Sequence, residues 1–462
     1  MVLNQARTPN GSANRRPSSF ANPTSDIPGL PARQAAAKLL AAVVDARTSL
    51  DGLTDEEHGH PAYRALEGRD RALVRAILIS ALRFRGTIQA AISNQLDRPL
   101  PGNALTLSHV LHVAIAQVLY LDVPDRAAVD LAVEQAKGDP RTRRFDGLVN
   151  GVLRSIVRRK AQILGKTPIA NAPDWFVARL NEAYGEERAK AILTAHLTEA
   201  PVDFTVKDDP AGWAEKLGGI VLPTGTVRVA RREGAIAALP GYEDGAWWVQ
   251  DAAAALPALI MGDVRGKRVA DLCAAPGGKT AQLIQAGAEV TALDISRSRI
   301  KRLRTNLERL DLPAEVVEAD LSVYEPAEPF DAVLLDAPCS STGTVRRHPD
   351  VLWTKSPEEI EKLAAVQFRL LKAAVRLVKP GGRIVFSNCS LDPVEGEQMV
   401  ERILAEQPEL ELEPIAPGEI PVVDAFLTPT GTVRTTPADL PHEDPALAGM
   451  DGFFAARLRR RG

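Results

Sequence analysis

The sequence has very few cysteines. Cys273, Cys339 and Cys389 are the only three in 462 residues, and none of them belongs to a CxxC or CxxH spacing. This scarcity excludes a disulfide framework and a zinc site of the usual spacing, so we expect no metal. Because isolated thiols are typical of a reducing compartment, we expect a cytoplasmic protein.

Long apolar runs and an excess of one charge are also missing. No stretch reaches the roughly 18 to 20 apolar residues that a membrane-spanning helix needs, and no secretory signal is evident, so we expect no membrane association. The net charge of -3 excludes a uniformly cationic nucleic-acid-binding protein. Basic residues are nevertheless concentrated at 64–85, 141–160 and 297–304. They indicate either a local basic surface for nucleic acid or solvated helix faces.

The length predicts two to four domains, since a domain usually has about 100 to 200 residues. Residues 1–30 are rich in Pro, Ser, Asn and Arg, which predicts a disordered tail, although a transit peptide has a similar composition. Residues 31–165 contain successive amphipathic patterns and predict an all-α bundle. We therefore expect the folded part of the chain to begin with a helical domain.

The remaining residues divide into two further predicted units. Residues 166–245 combine a helical hairpin with short β-like pieces and predict a small α+β connector module. Trp175 and Tyr184 share a face with Leu180, so we expect them to be core anchors rather than base-stacking platforms. Residues 246–462 alternate strand and helix patterns, which predicts an α/β domain with a doubly wound, Rossmann-like sheet.

The first turn of the α/β unit, DLCAAPGGKT at 271–280, has the composition of a ligand-binding loop. Small residues and paired glycines allow close approach of a ligand where the following helix has unpaired N–H groups. Neither a dinucleotide-binding motif nor a P-loop is present. Asp294 and Asp320 follow the next two predicted strands, and carboxylates there suit ribose hydroxyls. A nucleoside without phosphates fits this pattern, and S-adenosylmethionine is the commonest cofactor of that description.

Two cysteines and an acid follow the later strands. The apolar run at 330–335 ends at Asp336 and leads to Cys339, and Cys389 follows the strand predicted at 383–387. Neighbouring parallel strands would bring both thiols to one edge of the sheet. A thiolate that adds to C6 of cytosine makes C5 able to accept a methyl group, and Asp336 could stabilise or protonate the ring. This reasoning does not order the two cysteines, and it leaves Cys273 as a packing residue.

Longer motifs carry a resemblance to a known family. VQDAAA (249–254), CAAPGGKT (273–280), DAPCSSTGTVRRHPDVLW (336–353) and NCSLDPVEGE (388–397) resemble the RNA cytosine-C5 methyltransferases of the NOL1/NOP2/Sun type. The likeness is closer to the bacterial RsmB (Sun, Fmu) branch, which modifies small-subunit ribosomal RNA. Residues 68–88 and LVNGVLR (148–154) resemble the NusB-like RNA-binding domain that precedes certain methyltransferases.

The resemblance implies roles for individual residues. Cys389 would be the nucleophile, and Cys339 would assist release of the methylated product. The residues implied to line the S-adenosylmethionine site are Cys273, Ala274, Ala275, Pro276, Gly277, Gly278, Lys279, Asp294, Asp320 and Asp336. Arg346, Arg347 and His348 resemble RNA-backbone or loop contacts, with a solvated loop as the alternative.

The sequence departs from the family pattern at two positions in the last motif. Asn388 stands where the family usually has threonine before the cysteine, and Gly396 stands where it has asparagine between two glutamates. Both changes bear on how the nucleophile loop is held.

The leading hypothesis is therefore an S-adenosylmethionine-dependent methyltransferase that forms 5-methylcytosine in 16S ribosomal RNA, works as a monomer and has RNA as its partner. A transfer RNA is the alternative substrate. A different class remains open, in which a NusB-like RNA-binding or transcription factor has lost catalysis in its second half. That class predicts no binding of the methyl donor and no effect of replacing either cysteine.

Overall fold

The computed structural model describes residues 27–100, 104–165, 170–230 and 234–462. Most of the predicted disordered tail, residues 1–26, lies outside the described residues.

The N-terminal part of the chain is a helical bundle, as predicted. Its central helix runs from Leu105 to Tyr120 and is buried on nearly every side, because its sequence is apolar all round. The other helices pack around it with one apolar face each. In chain order the helices are α1 (Leu30–Val44), α2 (Leu50–Leu53), α3 (Pro61–Arg64), α4 (Gly68–Arg83), α5 (Arg85–Ser93), α6 (Leu105–Tyr120), α7 (Asp125–Gly138), α8 (Asp146–Arg158) and α9 (Lys160–Leu164).

A small α+β module follows. Its first helix is interrupted at Gly185, whose φ of 75° is not helical. The sequence predicted a helical hairpin in this segment. The module's sheet is antiparallel in the order β2-β3-β1-β4, and β4 lies just beyond the predicted boundary at residue 245. The elements are α10 (Asp174–Ala195), β1 (Val202–Val206), α11 (Pro210–Leu217), β2 (Ile220–Val221), β3 (Val227–Val229) and β4 (Trp247–Val249).

The C-terminal part is a mixed α/β domain built on a large sheet. Its main path has the order β10-β12-β9-β8-β5-β6-β7, and β11 pairs with β12. The five adjacent strands β9, β8, β5, β6 and β7 are parallel to one another, whereas β12 runs antiparallel to β9. The elements are α12 (Ala252–Ile260), β5 (Arg268–Leu272), α13 (Gly278–Gln285), β6 (Glu289–Asp294), α14 (Arg297–Arg309), β7 (Glu315–Glu318), β8 (Phe330–Asp336), α15 (Val351–Thr354), α16 (Pro357–Leu377), β9 (Val378–Asn388), α17 (Glu397–Glu406), β10 (Leu410–Leu412), β11 (Val433–Thr435) and β12 (Phe453–Arg460).

Helices cover both faces of this sheet, which explains the continuous apolar runs of its central strands. In β8, Val333 and Leu335 pack with residues of α16, whereas Ala332 and Leu334 pack with residues of α12. The predicted doubly wound, Rossmann-like architecture is thereby confirmed. The strand β9 begins at Val378, earlier than predicted, and the register with β8 shifts between Phe330 and Ala332.

The helical bundle contacts the α/β domain directly. The carboxylate of Asp350 accepts a hydrogen bond of 2.9 Å from the Leu50 N–H, and the indole of Trp353 donates one of 3.0 Å to the Leu82 carbonyl. The segment that follows β8 therefore contacts the helical bundle. Among the residues described, no helix combines the length and the apolar character needed to cross a membrane.

Candidate active site

The carboxyl ends of β8 and β9 bring two of the cysteines together. These strands are parallel neighbours, and Asp336 at the end of β8 pairs in register with Ser387 near the end of β9. Cys339 and Cys389 follow a few residues later, and their sulfur atoms lie 3.4 Å apart. Both side chains are partly buried. The arrangement places two thiols in contact at the edge of the sheet where α/β proteins bind ligands.

Close backbone packing fixes the loop that carries Cys339. The N–H of Gly343 donates to the carbonyl of Cys389 at 2.9 Å, and the N–H of Gly452 donates to the carbonyl of Gly343 at 2.9 Å. A Cβ on Gly343 would lie 1.9 Å from the Gly452 carbonyl oxygen, so the position requires glycine. The loop after β8 is thus held between the loop after β9 and the start of β12.

The surroundings of the two thiols shift their pKa values in opposite directions. A hydrogen bond with Cys339 lowers the pKa of Cys389, and the Ser341 hydroxyl, 3.6 Å from the Cys389 sulfur, lowers it further. The same thiol contact and burial raise the pKa of Cys339 well above its ordinary value of 9. Of the two thiols, Cys389 therefore ionises at the lower pH.

Asp336 lies beside the thiols in a polar contact with a lysine. Its two carboxylate oxygens accept hydrogen bonds of 2.7 Å from Lys279 and 3.1 Å from the Ser387 hydroxyl. The Lys279 ammonium also lies 5.0 Å from the centre of the Phe453 ring. Lys279 is only 9% exposed, so it is not a surface lysine of the first helical turn. The carboxylate and the ammonium together offer an acceptor and a donor to a polar ring.

The turn after β5 forms the loop expected of a ligand site. Cys273 has a φ of 61° and Gly277 a φ of 106°, and Gly277 is the N-cap of α13. A Cβ on Gly277 would lie 2.6 Å from the Leu303 side chain, which explains the glycine. Burial, followed by the nearby Asp294 and Asp336, raises the pKa of Cys273 to about 12. Cys273 is therefore a poor nucleophile, in line with its predicted packing role.

Two acids and two exposed apolar side chains follow β6 and β7. Asp294 is 4% exposed, and one of its oxygens accepts the Ser296 N–H at 2.9 Å. Its other oxygen has no partner among the described residues. Asp320 is exposed and accepts the Ser322 N–H at 2.8 Å. Ile295 and Val323 are 68% and 75% exposed, respectively. These features suit a ribose held by Asp294, with apolar side chains against the flat faces of the attached base.

A cavity of about 710 Å³ adjoins the glycine-rich loop. Residues 274–279 and Asp336 line it, together with Trp248 and Tyr242 from the connecting segment, whereas Asp294 and Asp320 do not. Asp271 also lines the cavity, and the sequence reasoning missed it as a site residue. Burial raises the pKa of Asp271 to about 7, and one of its oxygens has no partner among the described residues. The sequence did contain a signal for this residue, because Asp271 is an acid within the mostly apolar strand β5.

The three residues predicted as RNA contacts have other partners. Arg346 is 2% exposed and donates to the Ala448 carbonyl at 2.8 Å. Arg347 forms ion pairs of 2.5 Å with Asp251 and 3.2 Å with Asp451. His348 pairs with Asp51 of the helical bundle at 3.2 Å. The two arginines thus bind acceptors within the protein, which contradicts the alternative of a solvated loop, while a contact with RNA stays a prediction.

No metal centre is evident in the described ranges, since they contain no cluster of three or more His, Cys, Asp or Glu side chains able to hold an ion.

Comparison with known proteins gives matches to both halves of the chain. Residues 258–459 match the family model for 16S rRNA methyltransferase RsmB/F, and residues 30–158 match that of the NusB family. Ribosomal RNA small subunit methyltransferase B of Vibrio vulnificus is 34% identical over 450 residues, covering 92% of this chain and 98% of that protein. The protein of the same name from Salmonella paratyphi B is 32% identical, with 93% and 98% covered. The crystal structure of PH0851 shares the fold at 22% identity, with a TM-score of 0.66, and covers 94% of this chain and 99% of that one.

Proposed function

Because the chain belongs to the RsmB/F family of 16S rRNA methyltransferases, we propose that it methylates C5 of a cytosine in small-subunit ribosomal RNA, using S-adenosylmethionine. The observation that carries this proposal is the contact between Cys339 and Cys389, whose sulfur atoms lie 3.4 Å apart beside Asp336. Methylation at C5 of cytosine needs a nucleophile such as a thiolate to add to C6 first. A methyltransferase acting on a more nucleophilic atom would not need it.

The two thiols would act in sequence. The Cys389 thiolate forms a bond to C6, which places electron density on C5 and lets that carbon take the methyl group. A base then removes the C5 proton, and the bond between Cys389 and C6 breaks, so that one methyl group replaces one proton overall. Cys339, in contact with Cys389, is placed to serve in this release step, while Asp336 and Lys279 face the polar edge of the ring.

The methyl donor fits the loop and the acids that surround it. S-adenosylmethionine supplies a methyl group on a positively charged sulfur. The unpartnered oxygen of Asp294 suits the ribose, Ile295 and Val323 suit the two faces or edges of the base, and the buried Asp271 suits the ammonium group. The exposed Asp320 is available to the polar atoms of the donor.

Several basic residues support an RNA substrate. Arg297, Arg299 and Lys301 are exposed on α14, directly after the strand that ends at Asp294. They form no ion pair with any residue that the structure describes, so their charges are available to phosphates. We further propose that residues 31–165, 166–245 and 246–462 act as RNA-binding, connecting and catalytic domains, respectively.

The test is methyl transfer by the purified chain to in vitro transcribed small-subunit ribosomal RNA, with the product mapped by bisulfite sequencing. We expect Cys389→Ala to abolish methylation and Cys339→Ala to accumulate a covalent protein–RNA adduct. Full turnover by Cys389→Ala would disprove the covalent mechanism. Methylation of transfer RNA instead of ribosomal RNA would correct the substrate, and failure to bind the donor in calorimetry would favour a non-catalytic binding protein.

A further inference from the structure

Glu395 is a buried acid that the reaction described above does not use. It lies after β9, six residues beyond Cys389, and is 0% exposed. One carboxylate oxygen accepts the Ser340 N–H at 2.9 Å and the Gln367 amide at 2.7 Å. The other accepts the Ser340 hydroxyl at 2.5 Å. Since Ser340 follows Cys339 directly, the Glu395 side chain holds the loop that carries this thiol.

The main chain of Glu395 holds the loop that carries the second thiol. Its carbonyl accepts a hydrogen bond of 2.7 Å from the side-chain amide of Asn388, which directly precedes Cys389. The side-chain oxygen of Asn388 in turn accepts a hydrogen bond of 3.0 Å from the N–H of Ser390. The residues before and after Cys389 are thereby joined to each other. The hydroxyls of Ser340 and Ser390 lie 3.1 Å apart and close the network. A single residue is thus joined to the neighbours of both thiols.

We propose that Glu395 is a positioning residue that fixes the distance between Cys339 and Cys389. Its carboxylate meets only donors, and both oxygens are engaged, which an apolar side chain cannot reproduce. Removing it would leave the Ser340 N–H without its acceptor in a buried site and would take one acceptor each from the Ser340 hydroxyl and the Gln367 amide. The Cys339 loop would then keep only its contacts further along, such as the hydrogen bond from the Gly343 N–H to the Cys389 carbonyl, and the spacing of the two sulfur atoms would be less tightly fixed.

The expected consequence follows from the contact between the thiols. At 3.4 Å the sulfur atoms are in hydrogen-bonding contact, and this contact is what favours the Cys389 thiolate. Displacing reacting groups by about 1 Å can cost about a hundredfold in rate. Loss of Glu395 should therefore lower turnover while leaving the donor site after β5 and β6 intact. The expected change in turnover rests on the proposed function, but the spacing of the thiols can be measured in a protein that is not turning over.

Oxidation with diamide measures the spacing directly. Diamide takes up two electrons and two protons as Cys339 and Cys389 join in a disulfide, and mass spectrometry of the peptides detects the bond. We expect rapid formation in the unaltered chain and formation about tenfold slower or more in Glu395→Ala, because the sulfur atoms are then further apart. Equal rates in the two proteins, or no disulfide in the unaltered chain, would overturn the proposal.

Kinetics separate positioning from loss of stability. Glu395→Ala should lower kcat by about a hundredfold with little change in the KM for RNA or in the Kd for S-adenosylmethionine. Glu395→Gln keeps one carbonyl acceptor and should recover part of kcat. The control is Glu413→Ala, which removes a carboxylate bound to Arg383 at 2.5 and 2.8 Å but distant from the thiols along the sheet. A kcat loss as large in Glu413→Ala as in Glu395→Ala would overturn the positioning role. An inactive unaltered chain would count against the proposed function and leave the diamide result to decide the role of Glu395.

Discussion

The hydrogen bond between Cys339 and Cys389, at 3.4 Å between their sulfur atoms, makes the two thiols chemically unequal. It lowers the pKa of Cys389 and raises that of Cys339, so Cys389 is the thiol of the two that ionises at the lower pH. The Ser341 hydroxyl, 3.6 Å from the Cys389 sulfur, lowers the pKa of Cys389 as well. The sequence could place both thiols at one sheet edge but could not order them, whereas the folded chain shows that their pKa values are shifted in opposite directions.

Cys339→Ala should shift the ionisation of Cys389 to higher pH. Since the hydrogen bond from Cys339 lowers the pKa of Cys389, removing the donor raises it, and less thiolate is present at any given pH below the new midpoint. The rate of alkylation of Cys389 by iodoacetamide, followed from about pH 6 to 10 in a Cys273→Ala background, measures this midpoint. Ser341→Ala should give a smaller shift in the same direction. An unchanged or lower midpoint in Cys339→Ala would contradict the assignment of the thiolate.

Asp336→Asn should lower turnover even where donor binding survives. The substitution keeps the shape of the side chain but removes the charge that faces Lys279 at 2.7 Å and would face the ring of the target base. We expect kcat to fall about tenfold or more at saturating S-adenosylmethionine, and calorimetry measures any change in the Kd of the donor separately. Ser387→Ala is the matched control, because it removes the 3.1 Å hydrogen bond to the same carboxylate and keeps the charge. An unchanged rate in Asp336→Asn would exclude a role of this acid at the ring.

The alternation of strands and helices after residue 246 was readable because each parallel strand is buried on both faces and appears as an apolar run. The sequence likewise placed Asp294, Asp336, Cys339 and Cys389 after the correct strands. Its errors concern side chains whose partners are distant in the chain. Arg347 looked like a free cation, but it is paired with Asp251 and Asp451, about a hundred residues away on either side. Such pairings leave no local pattern.

Glu395 illustrates the same limit within the site. In sequence it is one of two acids in a polar turn, and nothing local distinguishes it from Glu397. In the structure Glu395 is fully buried against Ser340 and Gln367, whereas Glu397 pairs with Arg434 at 2.6 Å. Their different surroundings depend on the packing of the loops after β8 and β9, which only the folded chain defines.

Asp294→Ala should weaken binding of S-adenosylmethionine. The carboxylate is buried, and one oxygen has no partner among the described residues, so a ribose hydroxyl would satisfy it. We expect the Kd to rise about tenfold or more, which corresponds to about 1.4 kcal/mol. Calorimetric titration with S-adenosylhomocysteine measures the change in the absence of turnover. Asp320→Ala, at an exposed acid, should have a smaller effect, and an equal Kd for Asp294→Ala and the unaltered chain would remove Asp294 from the donor site.

The basic face of α14 should contribute to RNA affinity through charge. Replacing Arg297, Arg299 and Lys301 together with glutamine should raise the KM for RNA and flatten its dependence on salt. The logarithmic slope should fall by about 0.7 to 0.9 for each phosphate that the variant no longer neutralises. The control replaces Lys362, Arg369 and Lys372, which are exposed on α16 on the opposite face of the sheet, although Lys372 also pairs with Glu406 at 3.9 Å. Binding measured between about 50 and 300 mM salt distinguishes the two. Equal slopes in the two triple variants would show that α14 has no special role in RNA binding.

Arg228→Ala should destabilise the junction between the connector and the α/β domain. Arg228 and Asp203 are both 0% exposed, and two hydrogen bonds of 2.7 Å join them. Arg228 also donates to the Gly449 carbonyl at 2.5 Å, while Asp203 accepts the Ala252 N–H at the start of α12. Removing the guanidinium leaves a buried carboxylate without its counter-charge, which costs about 3 to 5 kcal/mol of stability.

Thermal unfolding followed by circular dichroism should show a clearly lower Tm for Arg228→Ala. The Tm of Arg228→Lys should lie between those of Arg228→Ala and the unaltered chain, because an ammonium keeps the charge without the paired geometry. Arg126→Ala, which breaks a pair on the surface of α7, should leave the Tm unchanged. If Arg228→Ala melted at the temperature of the unaltered chain, the pair would not hold the junction together.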